Sequence, residues 1–255
     1  MLPMSTFIDN FSKQAGLYAR HRPRYPKALY DFLVSQARGN TAAWDCATGN
    51  GQVAEALVPY FAKVFATDAS AAQLANASLL PPFAGHSLEY LVCTAERTPF
   101  PDHTFDLITV GQALHWFRFD EFYREVQRVT KPGGLLAVWG YSLMHTEKEE
   151  INKIIRKFYQ AGIGAYWDQE RKYVDEAYRT IPFPFREIET PDLNMDVDWS
   201  LEDCMGYLNT WSSVQKFREA KGYNPVDALQ PLLQPFWDAR EKVTFPLFIR
   251  AGTVE

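Results

Sequence analysis

Seven residues, Asp45-Cys46-Ala47-Thr48-Gly49-Asn50-Gly51, place one carboxylate and two glycines between a short apolar run and a helical pattern. Glycine lets a backbone turn sharply and approach a ligand with no Cβ in the way. Asp68 closes the next apolar run, 17 residues beyond Gly51. A carboxylate at a strand end can accept two hydrogen bonds from vicinal ribose hydroxyls. Gly49-x-Gly51-x-x-Ala54 also fits the dinucleotide fingerprint, so a nicotinamide-dependent oxidoreductase is a rival reading. Asp45 counts against it. A negative charge just before the loop repels a pyrophosphate and suits the ammonium of an amino acid.

A second group of chemically able residues is Gln112-Ala113-Leu114-His115-Trp116-Phe117. It follows an apolar run, so it belongs at the same edge as the glycine loop. His115 could act as a general base, since imidazole titrates near neutrality. It could equally hydrogen-bond to hold the loop. Gln112 is expected to contact the cofactor, and Trp116 walls a pocket or packs the helix below. Further on, Trp211-Ser212-Ser213-Val214-Gln215 offers an aromatic ring and a polar group, Trp211 and Gln215, to orient a small acceptor. A buried helix start would read the same way.

These residues need a frame. Apolar runs at 42–46, 63–67, 88–92, 105–110 and 135–140 alternate with helical patterns at 27–37, 52–60, 70–79 and one containing Phe122, Val126 and Val129. Strands alternating with helices imply an α/β fold with a mostly parallel sheet. Lys131-Pro132-Gly133-Gly134 is expected as a turn. After Tyr141 the texture changes: Ile151, Ile154, Ile155 and Phe158 mark one amphipathic helix, and residues 166–234 are rich in Trp, Tyr and Pro. Strand-like runs at 185–189 and 243–250 bracket that stretch. The expected organisation is an N-terminal lid segment over residues 1–26, a cofactor-binding core over 27–145, and substrate-lid insertions with the last strands over 146–255.

Composition narrows the partners. With 26 basic and 31 acidic side chains and a net charge of -5, no basic stripe is present to neutralise phosphates, so nucleic acid is not an expected partner. No apolar run approaches the ~20 residues of a membrane span. Cys46, Cys93 and Cys204 are far apart, without metal-ligand spacing. The N-terminus lacks a secretory pattern, and a cytoplasmic protein is expected. Phe, Tyr and Trp number 18, 13 and 7, more than core packing usually needs, which hints at an aromatic-lined pocket.

The glycine loop resembles the first motif of the class I methyltransferases, D-x-G-x-G-x-G, with Asp45, Ala47, Gly49 and Gly51 at its four defined positions. The likeness runs on through Thr67-Asp68-Ala69-Ser70, Ala95-Glu96-Arg97-Thr98-Pro99-Phe100-Pro101-Asp102, Thr104-Phe105-Asp106-Leu107-Ile108 and Val129-Thr130-Lys131-Pro132-Gly133-Gly134. The resemblance implies a Rossmann-like, mostly parallel seven-stranded sheet with helices on both faces, and S-adenosylmethionine as cofactor. It also implies roles: Asp45 and the loop backbone on the methionine ammonium, Asp68 on the ribose, and Ala69, Gln73, Ala95 and Glu96 around the adenine. Tyr18, Arg22, Pro23, Tyr25 and Pro26 look like the N-terminal lid of the trans-aconitate methyltransferase subgroup. There, Tyr18 and Arg22 would close over the cofactor, Arg22 pairing with the methionine carboxylate. The expected reaction is methyl transfer to a small molecule, with a carboxylate acceptor implied by the subgroup. A cofactor-binding protein without catalysis is the further alternative.

Overall fold

The computed structural model describes residues 22–77 and 87–255. Tyr18 lies outside them, as does the end of the helix expected over 70–79. The first elements are α1 (Lys27–Gln36), β1 (Ala42–Cys46), α2 (Gln52–Leu57), β2 (Lys63–Asp68), α3 (Ala71–Ala77) and β3 (Ser87–Val92). Then come β4 (Phe105–Gly111), a 3-10 turn at Leu114–Trp116, α4 (Phe119–Val129) and β5 (Thr130–Tyr141). The sheet order is β3-β2-β1-β4-β5, all parallel. Strand order reverses between β1 and β4, and in such sheets ligands bind beyond the carboxyl ends at that crevice.

β1 and β4 are buried along almost their whole length because both faces are covered. Alternation survives within the runs. Trp44, Ile108, Val110, Leu136 and Val138 join one core cluster, whereas Ala43, Leu107, Leu135, Ala137 and Trp139 join the other. Two polar devices tie the layers. Asp106 accepts from the Thr41 and Ala42 amides, both at 2.9 Å, and from Lys131 Nζ at 2.8 Å. Glu125 on α4 accepts from Thr98 N and Oγ1 and from Arg128 Nη2, which holds the segment after β3 against the helix.

Past β5 the chain forms α5 (Glu149–Lys157), α6 (Arg171–Asp175), the short β6 (Arg186–Glu187), β7 (Asn194–Trp199), α7 (Leu201–Asn209), α8 (Ser212–Lys221), α9 (Gln230–Leu233) and β8 (Glu241–Thr253). Ser200 starts α7 with a capping box closed by Asp203, worth about 1 kcal/mol. These elements bury an apolar cluster of their own around Ile151, Ile155, Trp199, Tyr207, Trp211 and Phe245. No helix among the described residues is long and apolar enough to cross a membrane.

Two details depart from expectation. The sheet has eight strands, because β8 is long enough to serve three partners, β5, β6 and β7. Leu247–Thr253 runs antiparallel to β5, and Glu241–Pro246 pairs with β7. Lys131–Gly134 is not a free turn but the start of β5: Gly133 N donates to Val254 O at 2.7 Å and Val254 N to Gly134 O at 2.9 Å. The β8 ladder thus reaches past the strand's apolar part.

Gly140 shows how tightly β5 is packed where it meets the site. A Cβ there would lie 2.3 Å from the Phe248 ring and 2.5 Å from Gln112 Oε1. Gly140→Ala is therefore expected to lower stability by about 1–3 kcal/mol, the usual cost of overpacking. An unchanged urea midpoint would contradict this.

Candidate active site

Four loops converge at the carboxyl edge of β1–β4 and enclose a chamber of about 430 Å3. The loop after β1 owes its shape to left-handed residues: Ala47 (φ 55), Gly49 (φ 58) and Gly51 (φ 81). Ala47 bears this conformation with a Cβ, at a cost on the order of 1 kcal/mol. A Cβ on Gly49 would meet nothing within 4 Å, so this stretch of backbone faces open space in the chamber. Asp45 stands behind the loop, 1% exposed. Its oxygens accept from the Thr48 hydroxyl, from Ala54 N at 3.1 Å and from Thr109 Oγ1 at 3.0 Å. Burial outweighs these donors, and with Asp68 nearby it pushes the Asp45 carboxyl up to about 7.

Asp68 lies on the chamber wall. Oδ2 accepts from Gly49 N at 2.9 Å and Oδ1 from Ser70 N at 2.8 Å. Each carboxylate oxygen carries two lone pairs, so the same group can brace the loop and still accept from a diol. Ala69, Gln73, Ala95 and Glu96 line the far end of the chamber. The Glu96 carboxylate receives Arg118 N at 3.0 Å, so it is held in place by the start of α4. Gln112 has φ 56, and its Oε1 accepts Tyr141 N at 2.9 Å. That bond turns the loop after β4 across the chamber floor.

An inner chamber of about 60 Å3 adjoins the first and shares Arg22, Gln112, Trp116 and Tyr141 with it. Its rings come from Trp116, Tyr141, Trp167, Tyr207 and Trp211, the aromatic pocket anticipated from composition. Two guanidinium groups enter it. Arg22 donates to Thr210 Oγ1 and to the Tyr141 hydroxyl and lies over the Tyr207 ring. Arg171 of α6 donates through Nε to Tyr159 Oη at 2.7 Å and lies 4.6 Å from the Trp167 ring centroid. His115 also lines this chamber, 7% exposed, with Nδ1 2.8 Å from Tyr178 Oη. Burial first, and Arg171 second, pushes its imidazole down to about 3, so the ring is neutral at physiological pH.

The structure therefore gathers Arg22, Asp45, Ala47, Gly49, Asp68, Ala69, Gln73, Ala95, Glu96 and Gln112 around one chamber. Gly51, which is not on that wall, is the left-handed residue that starts α2. His115, Trp116 and Trp211 come to the inner chamber, whereas Gln215 gives its amide to Asn209 O at 2.7 Å and lies outside both. Arg171, Trp167, Tyr207 and Tyr178 were not singled out in the sequence, because nothing in their local pattern ties them to the glycine loop. Among the described residues, no group of three His, Cys, Asp or Glu side chains could hold a metal.

A family profile described as a methyltransferase domain matches residues 44–138. A Dictyostelium discoideum protein named as a methyltransferase is 33% identical over 252 residues, covering 95% of this chain and 94% of that protein. An uncharacterized methyltransferase of Mycobacterium tuberculosis is 30% identical over 193 residues, covering 75% of this chain and 70% of its own length. The solved structure of a type II methyltransferase from Anaeromyxobacter dehalogenans superposes with a TM-score of 0.82 at 35% identity, over 91% of this chain and 98% of that one.

Proposed function

Because this chain belongs to the class I S-adenosylmethionine-dependent methyltransferases, we propose that its acceptor is a small carboxylic acid, methylated on oxygen. The nicotinamide rival is set aside, since both the family and the charge behind the glycine loop favour S-adenosylmethionine. That cofactor supplies an electrophilic methyl group on a sulfonium. The chain's own task is to hold it and to present an oxygen in line with it.

Asp68 would bind the ribose hydroxyls, and the loop from Ala47 to Gly49 the methionine end. Arg22, at the junction of the two chambers, would pair with the methionine carboxylate. The adenine would lie among Ala69, Gln73, Ala95 and Glu96. The observation that carries the acceptor reading is the Arg171 guanidinium, set on a ring-lined chamber beside the cofactor with Arg22 at the junction. Positive charge in an apolar wall favours an anion, and the rings favour an apolar body. A carboxylate, with pKa near ~4, is already ionised at neutral pH and needs no base. The likeness of the Arg22–Pro26 run to trans-aconitate methyltransferases supports the same class. We further assign the insertion between β5 and β8 as the acceptor lid.

Turnover with methyl-labelled cofactor and a pool of carboxylic acids tests this reading. Label released as methanol by mild base is expected, since esters hydrolyse there. Label that survives base would place the methyl on nitrogen, carbon or an ether oxygen and overturn it.

The raised Asp45 carboxyl gives a second expectation. Between pH 5 and 7 an α-ammonium stays protonated, and its charge favours ionised Asp45. Bound protein then holds fewer protons than free protein, so binding releases protons and affinity rises with pH up to about 7. Calorimetry in buffers of different ionisation enthalpy reads this directly. Heats independent of buffer would show that Asp45 does not sense the ammonium.

A further inference from the structure

We propose that Tyr178 holds His115 as its neutral Nε2–H tautomer, so that the imidazole meets the acceptor carboxylate as a hydrogen-bond donor and not as a base. The donor role rests on the carboxylate reading above; the hold on the tautomer does not.

The contact of 2.8 Å between His115 Nδ1 and Tyr178 Oη fits either direction of donation. What decides it is burial. Tyr178 is fully buried, and among the described residues the hydrogen bond its hydroxyl makes is the one to His115 Nδ1. If Nδ1–H donated to it, the phenol proton would be buried without an acceptor, whereas donation from the phenol satisfies both groups. Burial raises the Tyr178 hydroxyl, so that proton stays on the phenol until it is shared with Nδ1. A neutral imidazole that accepts at Nδ1 must carry its hydrogen on Nε2. No described residue partners Nε2, and His115 lines the inner chamber, so that N–H is available to a bound molecule.

The groups facing the ring do not favour an imidazolium. Arg171 from α6 repels it, and Arg22 adds a second positive charge across the chamber. Asp168, the carboxylate on the chamber wall, is paired with Lys216 of α8. Tyr141 and Tyr207 complete the polar surroundings, and burial pushes the Tyr141 hydroxyl up to about 12.

A second observation shows that the phenol is placed under strain. Ala177 (φ 53) and Tyr178 (φ 57) are consecutive left-handed residues, and neither is glycine. Such conformations persist where the surroundings over-determine them, and they cluster at functional sites. Here Tyr178 N donates to Tyr173 O at 2.8 Å, while Arg250 of β8 donates to Tyr178 O at 2.9 Å and to Ile181 O at 2.7 Å. Arg250 is itself held by Glu187. The Tyr178 ring is 0% exposed and edge-on to Phe248. With one carboxylate oxygen held by Nε2–H, the other is left to take the methyl, and no proton has to move. Tyr178 is a positioning residue, acting only through His115.

Two-bond 1H–15N correlation of the histidine ring on 15N-labelled protein, from pH 5 to 9, tests the tautomer directly. The expected result is a bare Nδ1 and a protonated Nε2 that do not titrate. In Tyr178→Phe, which keeps the ring, the Nδ1–H form is expected to rise several-fold. Adding benzoate to protein loaded with S-adenosylhomocysteine should shift the Nε2–H signal. His115→Gln, which keeps a donor, should hold benzoate within about threefold of the parent, whereas His115→Phe should lose about tenfold or more. A parent imidazole in the Nδ1–H form, or one titrating near ~6.5, would overturn the proposal. An Nε2–H tautomer that ignores benzoate would instead overturn the carboxylate reading and with it the donor role, while the hold of Tyr178 on the ring would stand.

Discussion

Asp68→Ala is expected to weaken S-adenosylmethionine binding by roughly 1.5–3 kcal/mol, the range for hydrogen bonds to a charged group. That corresponds to about a ten- to hundredfold rise in Kd. The carboxylate does two things at once. It takes the amides of Gly49 and Ser70 at 2.9 and 2.8 Å, which sets the loop that borders the chamber. It also lines the chamber, where a ribose diol would donate to it. The fold should survive, because Asp68 ends β2 at the sheet edge and its partners are loop amides. Asp68→Asn separates the contributions: it keeps one acceptor oxygen but loses the charge, so an intermediate Kd is expected. Calorimetry on the three proteins is the measurement. Parent-like affinity in the alanine variant would remove Asp68 from the ribose site.

The second large effect is expected at Arg171. Replacing it by leucine should lower kcat/KM for a carboxylate acceptor by roughly thirty- to hundredfold, about 2–3 kcal/mol of charge-assisted hydrogen bonding. Cofactor affinity should not change, since Arg171 lines only the inner chamber. The side chain is 21% exposed and stacks on Trp167 while bonding Tyr159, so its guanidinium is held on the wall of the inner chamber. Its partner Asp175 is 48% exposed, and water can solvate it when the arginine is gone. The stability loss should therefore be small. Arg171→Lys keeps the charge but not the planar fork and should recover only part of the rate. A neutral acceptor, turned over equally well by parent and Arg171→Leu, would show that the inner chamber does not select anions.

The loops at the carboxyl edge of the sheet were legible because their residues are local. Asp45, Gly49, Gly51 and Asp68 sit within a few positions of strand ends, and apolar runs of five to seven residues mark those ends without help from distant contacts. The elements from α1 to β5 were readable for the same reason. β7 was not singled out, although Met195, Val197 and Trp199 alternate with polar residues. A single six-residue alternation among many aromatics is a weak signal, and it becomes a strand only because β8 offers its free half. Gln215 looked like a pocket residue from its neighbours, yet its side-chain amide is turned back to donate to Asn209 O.

The acceptor side depends on pairs far apart in the chain, and no local pattern encodes them. His115 meets Tyr178 across 63 residues, Arg22 meets Tyr141 across 119, and Arg22 meets Thr210 across 188. Whether His115 is base or donor could not be read from its own segment, because imidazole chemistry is set by what faces each nitrogen. Tyr178, Arg171 and burial supply that only once the insertion has folded over the sheet. Chain-local features, a glycine turn and an acid at a strand end, are written in consecutive residues and so specify the cofactor class. The charge and shape of the inner chamber arise from long-range packing, where the low dielectric of a buried site shifts protonation equilibria that an exposed segment would leave at their ordinary values.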